Sequence, residues 1–138
     1  MSNSIQHINP DGLSRNRAFS QIVIAQGSGK TVYIGGQDAV NSNGEIVGKG
    51  DIIKQTEQVM ENLQIALSAS GATFENLVKL NIYLVQGQDL YGAFQASQKY
   101  LGNLVNPPAI SVLVVVGLAN PDYLIEIDAT AFIPDKKA

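Results

Sequence analysis

The chain has 138 residues and a mass of 14.7 kDa, one domain's worth, and mass scaling gives a folded surface of ~6,900 Å² against ~21,000 Å² extended, enough burial to fold without staples. Nine basic and twelve acidic residues leave a formal charge of −3 and a pI near 4.9, with the basic residues scattered apart from a Lys136-Lys137 tail, which counts against nucleic acid as the main partner. Cysteine is absent and His7 is the sole histidine, so disulfides, thiolate zinc, cysteine nucleophiles, histidine triads and multi-histidine metal sites fall away, and no metal or other cofactor is expected.

Residues 1–20 are polar and broken by Pro10 and Gly12, and read as an N-terminal arm of a single domain spanning 1–138. Gln21 to Gln26 and Thr31 to Gln37 are rich in β-branched residues and joined by Gly27-Ser-Gly-Lys30, the pattern of a hairpin. Asp51 is placed to cap a long helix in which Ile52, Thr56, Val59, Leu63 and Ala66 recur at helical spacing, widened by Ile53, Met60 and Leu67 and ended by Gly71. Leu77 to Val85 alternates as a strand. Asp89 can cap a second helix running to Leu101, whose stripe of Leu90, Ala93, Phe94, Ser97 and Leu101 is weaker. Pro107-Pro108 then delivers the chain extended into Ala109 to Val116, nearly all apolar, as a strand buried on both faces would be. Leu124 to Ile133 alternates, with Ile125, Ile127, Ala129, Ala131 and Ile133 on one face and Leu124, Glu126, Asp128, Thr130 and Phe132 on the other.

The order β-β-α-β-α-β-β predicts an α+β fold with two helices on one face of a mixed sheet. The second face then needs cover, and a strand as apolar as Val112 to Val116 points to another chain, so an oligomer is expected. No apolar run approaches the roughly 18 residues of a membrane span, and MSNSIQHINPDG lacks the regions of a secretion signal. A soluble, cytoplasmic protein without a membrane partner is the expectation.

Five segments, F-S-Q at Phe19 to Gln21, V-Y-I-G-G-Q at Val32 to Gln37, Q-T-E-Q-V-M-E-N-L at Gln55 to Leu63, N-P-P-A at Asn106 to Ala109 and E-I-D-A at Glu126 to Ala129, together resemble the Rid family. These are the reactive intermediate deaminases, also called YjgF-like proteins. The resemblance implies a chorismate-mutase-like fold, a homotrimer with a central barrel of sheets and helices outside, and ligand clefts between subunits. It implies hydrolysis of enamines and imines to a keto acid and ammonia. It also implies an arginine directly after Pro-Ala to grip a substrate carboxylate through two parallel donors. Here that residue is Ile110, which has no donor and no charge. The family's tyrosine before Ser-Gln is Phe19, its serine ahead of Gly-Gln is Gly35, and its cysteine two residues after the arginine is Val112.

Glu126 keeps the family's carboxylate and is the catalytic candidate, with Gly36 offering a backbone amide that a ligand can approach closely. Glu126 and Asp128 lie two apart on one strand face, able to hold a proton or a cation, although a solvated or salt-bridged polar face explains Asp128 as well. Arg15 and Arg17, the chain's only arginines, precede Phe19 and could replace the missing anchor; solvated loop arginines are the plain alternative. Asn106 could rim the cleft. Three functions compete on these residues. An enamine or imine hydrolase with altered recognition comes first. A non-catalytic trimeric protein that binds a small carboxylate or apolar compound, or regulates, comes second. The ribonuclease or translation-inhibitor activity attributed to some relatives comes last, because the chain is acidic and lacks interleaved aromatic and basic residues.

Overall fold

In the computed structural model, which describes residues 2–136 and so leaves Lys137 of the basic tail outside the described residues, six strands and two helices alternate along the chain. The strands are β1 (Ser4–Ile8), β2 (Ile22–Gln26), β3 (Gly29–Gln37), β4 (Leu77–Val85), β5 (Ala109–Val115) and β6 (Ile125–Pro134). The helices are α1 (Ile52–Ala69) and α2 (Leu90–Leu101), with one 3-10 turn at Phe74–Asn76. Both predicted caps form. Asp51 Oδ1 accepts the N–H groups of Ile53 and Lys54 at 3.0 and 3.1 Å, and Asp89 Oδ1 accepts that of Gly92 at 3.0 Å. Gly71, at φ +83°, turns the chain away after α1 in a conformation that costs a side-chain-bearing residue more.

Four strands form one mixed sheet in the order β3-β6-β4-β5, with β6 antiparallel to both neighbours and β5 parallel to β4. Parallel neighbours need a crossover, which α2 supplies between β4 and β5. Ile125, Ile127, Ala129 and Ala131 of β6 and Leu80 and Leu84 of β4 are buried in one core with Val59, Met60, Leu63 and Leu67 of α1 and Ala93 and Leu101 of α2. The alternation predicted for β6 is thus the one observed, and that of β4 holds from Lys79 onward, a register shift before it placing Leu77 rather than Val78 in the core. The α+β architecture of two helices on a mixed sheet holds.

Two expectations change. The arm contains a strand, β1, and it is β1 that pairs antiparallel with β2, from Ser4 opposite Gln26 to Ile8 opposite Ile22. Gln21 to Gln26 and Thr31 to Gln37 therefore do not form the predicted hairpin; they belong to separate sheets joined through Gly27 (φ +82°) and Ser28. Asn3 fixes that corner, its Oδ1 accepting the Ser28 N–H at 2.9 Å. The second change concerns the uncovered sheet face. It carries Lys79, Asn81, Tyr83, Glu126, Asp128 and Thr130, so it is polar at its centre, and the exposed aliphatic residues of this sheet, Val112, Leu113 and Val114, are on its outer strand β5.

His7 sits in β1 with Nε2 buried and without a hydrogen-bond partner among the described residues. Burial holds its pKa below the usual 6.5. Protonation is then easier in the unfolded chain than in the folded one, so the neutral ring's contribution to stability is present above pH ~6.5 and lost as pH falls through the folded pKa. Because the chain has one histidine, its imidazole proton resonances are expected to titrate below 6.5 by NMR, and a midpoint at or above that value would contradict the burial.

Candidate functional site

The loop before β2 is built onto the segment before β5. Ser20 is buried, its N–H donates to the Pro108 carbonyl at 3.0 Å, and its hydroxyl donates to the Pro107 carbonyl at 2.5 Å. Two of the motifs quoted above, F-S-Q and N-P-P-A, are thereby joined. Phe19 and Arg17 come to line a cleft of about 670 Å³ whose other wall is formed by Phe94 and Gln98 of α2 and by Leu104 in the segment after it. Arg15 is engaged elsewhere, donating to the Asn9 carbonyl at 3.1 Å and lying 3.7 Å from Asp11. Asn106 lines a neighbouring hollow of about 260 Å³ with His7 and Glu75.

A second group of candidates lies on the open sheet face. β3 is paired residue for residue with β6 as far as Ile34 opposite Ala129, and resumes at Gln37 opposite Ile127. Gly35 and Gly36 together therefore oppose Asp128 alone, a β-bulge. Above Gly35 the space is open, whereas a side chain on residue 36 would collide with the Glu126 carboxyl. A side chain at 36 would push the Glu126 carboxyl away from where it now lies. Asp128 is tied within the sheet. Asn81 Nδ2 donates to its Oδ1 at 2.8 Å and the Tyr83 hydroxyl to its Oδ2 at 3.1 Å, and that hydrogen bond pushes the Tyr83 phenol pKa up. Asp128 is accordingly a satisfied structural carboxylate, whereas among the described residues no amide or hydroxyl side chain donates to Glu126.

Asp38, which the sequence reading passed over, completes this group. It directly follows Gln37, the last paired residue of β3, and its carboxyl lies within hydrogen-bonding reach of Glu126. Its backbone carbonyl accepts from Asn62 Nδ2 on α1 at 3.0 Å, while its Oδ1 is buried without any N–H or O–H donor among the described residues. Burial first, and then hydrogen bonding and like charge from Glu126, raise the Asp38 pKa to about 7. The only sequence signal for this was an acidic residue directly after Gly-Gly-Gln.

Ile110 and Val112 form a third group. Ile110 is opposite Leu80 on the helix-facing side of β5 and packs against the core. Val112, on the same side, lines an apolar cavity of about 110 Å³ with Ile82, Leu84 and Phe94. Within one chain, then, Arg17 with Phe19, Glu126 with Gly35 and Gly36, and Ile110 with Val112 occupy three places, the first and third adjoining at Phe94. No cluster of three or more metal-ligating side chains occurs among the described residues, and no described helix is long and apolar enough to cross a membrane.

The family model for endoribonuclease L-PSP matches residues 11–133. The chain belongs to the Rid family. A RutC family protein of Pyrococcus horikoshii is 36% identical over 83% of this chain and 86% of its own length. The human 2-iminobutanoate/2-iminopropanoate deaminase is 30% identical over 82% of this chain and 78% of its own. Among solved structures, the Rid family protein YyfB of Yersinia pestis superposes with a TM-score of 0.83 at 38% identity, over 92% of this chain and 97% of that one. The Rid chain described here thus shares its architecture along nearly its whole length with a crystallographically characterised relative.

Proposed function

We propose that this Rid protein is a homotrimeric, cytoplasmic hydrolase of enamines or imines that acts in clefts between subunits, with Glu126 ordering and deprotonating the attacking water. The observation that carries this reading is the Glu126 carboxyl lying across Gly36 beside the open bulge at Gly35. The deaminase name of the human relative supports it. Trimerisation would let a cleft draw Glu126 from one subunit and the Arg17–Phe19 loop or the Ile110–Val112 edge from another, which a single chain keeps apart.

Recognition of the substrate is proposed to differ from that of arginine-bearing relatives. Removing the arginine from a buried arginine–carboxylate pair costs about 2 to 5 kcal/mol of binding in a desolvated cleft, and Ile110 offers the carboxylate no partner. Arg17 is the first candidate to substitute for it and Arg15 the second. The purified protein, given 2-iminopropanoate generated in situ and an uncharged imine in parallel, is expected to release ammonia, with the carboxylate substrate at least ~30-fold poorer than in an arginine-bearing relative. Glu126→Gln is expected to lower kcat by about 10²- to 10³-fold. Ammonia release no faster than the spontaneous reaction would overturn the hydrolase reading in favour of a binding protein, for which the donor-free side chain of Ile110 is the specific argument.

A further inference from the structure

We infer that Asp38 and Glu126 hold one proton between their carboxyl groups, and that Asp38 is thereby a positioning residue that sets the protonation state of Glu126. This rests on the reading of Glu126 as the proton-transfer group. Its geometrical basis is independent of that reading. Asp38 directly follows Gln37, whose cross-strand partner Ile127 is the chain neighbour of Glu126, and the two carboxyl side chains come within hydrogen-bonding reach of each other. Asp38 Oδ1 is buried with no donor among the described residues, and the group facing it is a second acceptor. Two such oxygens side by side are joined most directly by a proton, since two adjacent like charges do not both ionise easily.

The surroundings leave the pair without another source of compensation. From β4, Tyr83 is in register with Glu126, but its hydroxyl proton is donated to Asp128. Asp128, on β6, is itself bound by Asn81 and Tyr83 and adds only negative charge. Lys79, the cation on the same face of β4, lies four residues from Tyr83 and donates to Ser111 Oγ at 2.8 Å. From α1 the contact is the neutral amide of Asn62, which serves the Asp38 backbone carbonyl and not its carboxyl. On β3, Gly35 and Gly36 bring no side chain, and Tyr33 is exposed. The raised Asp38 pKa is the expected consequence of this arrangement.

A pair holding one proton can give a proton and take one at the same pH. In imine hydrolysis, water oxygen bonds to the imine carbon and its proton passes to the pair, while the pair's own proton passes to the nitrogen. The resulting carbinolamine loses its hydroxyl proton to the nitrogen by the same route, the C–N bond breaks, and ketone and ammonia leave with the pair restored. Glu126 is the member beside the open space at Gly35; Asp38 acts through it.

The test is carboxyl-carbon NMR titration of the assembled protein labelled at aspartate and glutamate side chains, with Asp38→Asn and Glu126→Gln assigning the resonances. One step near neutrality that both carboxyls sense is expected in the wild type. Glu126→Gln should move the Asp38 midpoint toward acid by at least about one unit. Both carboxyls ionising fully below pH ~5 in the wild type would overturn the proposal. Where imine hydrolysis is measurable, Asp38→Asn should move the pH–rate profile, which a merely structural role would not do. Hydrolysis without a shared proton would sink the pair and leave the hydrolase reading intact. A shared proton without hydrolysis of either imine would do the reverse.

Discussion

Gln55→Leu is expected to destabilise the fold by about 3 kcal/mol, more than an average substitution inside a helix. Gln55 is fully buried in α1 and satisfies three backbone groups of two loops. Its Nε2 donates to the carbonyls of Asp122 at 2.9 Å and Gly48 at 3.2 Å, and its Oε1 accepts the N–H of Leu124 at 2.9 Å. Leucine has nearly the same volume, so the cavity contribution is small. What is lost is pairing, and each buried backbone group left without a partner costs about 1–3 kcal/mol. Denaturant unfolding monitored by circular dichroism measures it. A loss below ~1 kcal/mol would mean that water reaches all three groups. The effect would spread to the site, because Leu124 leads directly into β6 and hence to Glu126.

Gln55 also shows where the sequence was readable and where it was not. The apolar stripe of α1 correctly placed Ile52, Thr56, Val59, Met60, Leu63 and Leu67 inside. It also enrolled Ile53, which is exposed, and skipped Gln55, which is buried. Gln55 lies between Ile52 and Val59, three residues from one and four from the other, on the same helix face. A polar residue there has to find hydrogen bonds, but their partners are 7 and 67 residues distant along the chain. Nothing local announces them. The same limit governed the β1–β2 pairing. Ser4 to Ile8, SIQHI, is too polar to read as a strand, and its pairing is fixed by tertiary contacts such as the Asn3 side chain on Ser28.

For the site, alignment to the family's motifs located Glu126 and Gly36, and the structure brings these two together. Asp38 was out of reach because the bulge decides it. With Gly35 and Gly36 both opposite Asp128, the strand's faces are reset, and Asp38, just past the last pair Gln37–Ile127, comes out on the side where Glu126 lies. A reading by simple alternation has no means of counting that extra residue. The partition of Arg17, Glu126 and Ile110 among three places was equally invisible, since sequence proximity of Arg17 to Phe19 says nothing of which wall they face.

Val114→Lys is expected to weaken self-association by at least ~100-fold while leaving the isolated chain folded. β5 is the outer strand of the sheet, and Val112 and Val114 are each 57% exposed, Leu113 46% and Val116 83%. A long apolar edge of this kind invites pairing with another chain unless something covers it. The single chain also exposes 7967 Å², about 1,000 Å² more than mass scaling gives for a monomer of its size. Both observations fit a chain that buries β5 against a second copy, as the proposed homotrimer requires. A lysine at 114 stays solvated in the free chain, so its folding is expected to be unchanged by circular dichroism. In an assembled interface its ammonium must be desolvated without a partner, which costs several kcal/mol per ion, and about 2.7 kcal/mol already corresponds to a hundredfold. Sedimentation velocity over a range of concentrations separates the cases. A wild-type monomer at every concentration would remove the trimer and with it the inter-subunit cleft. A trimer indifferent to Val114→Lys would place the interface on the polar face around Lys79 and Asp128 instead.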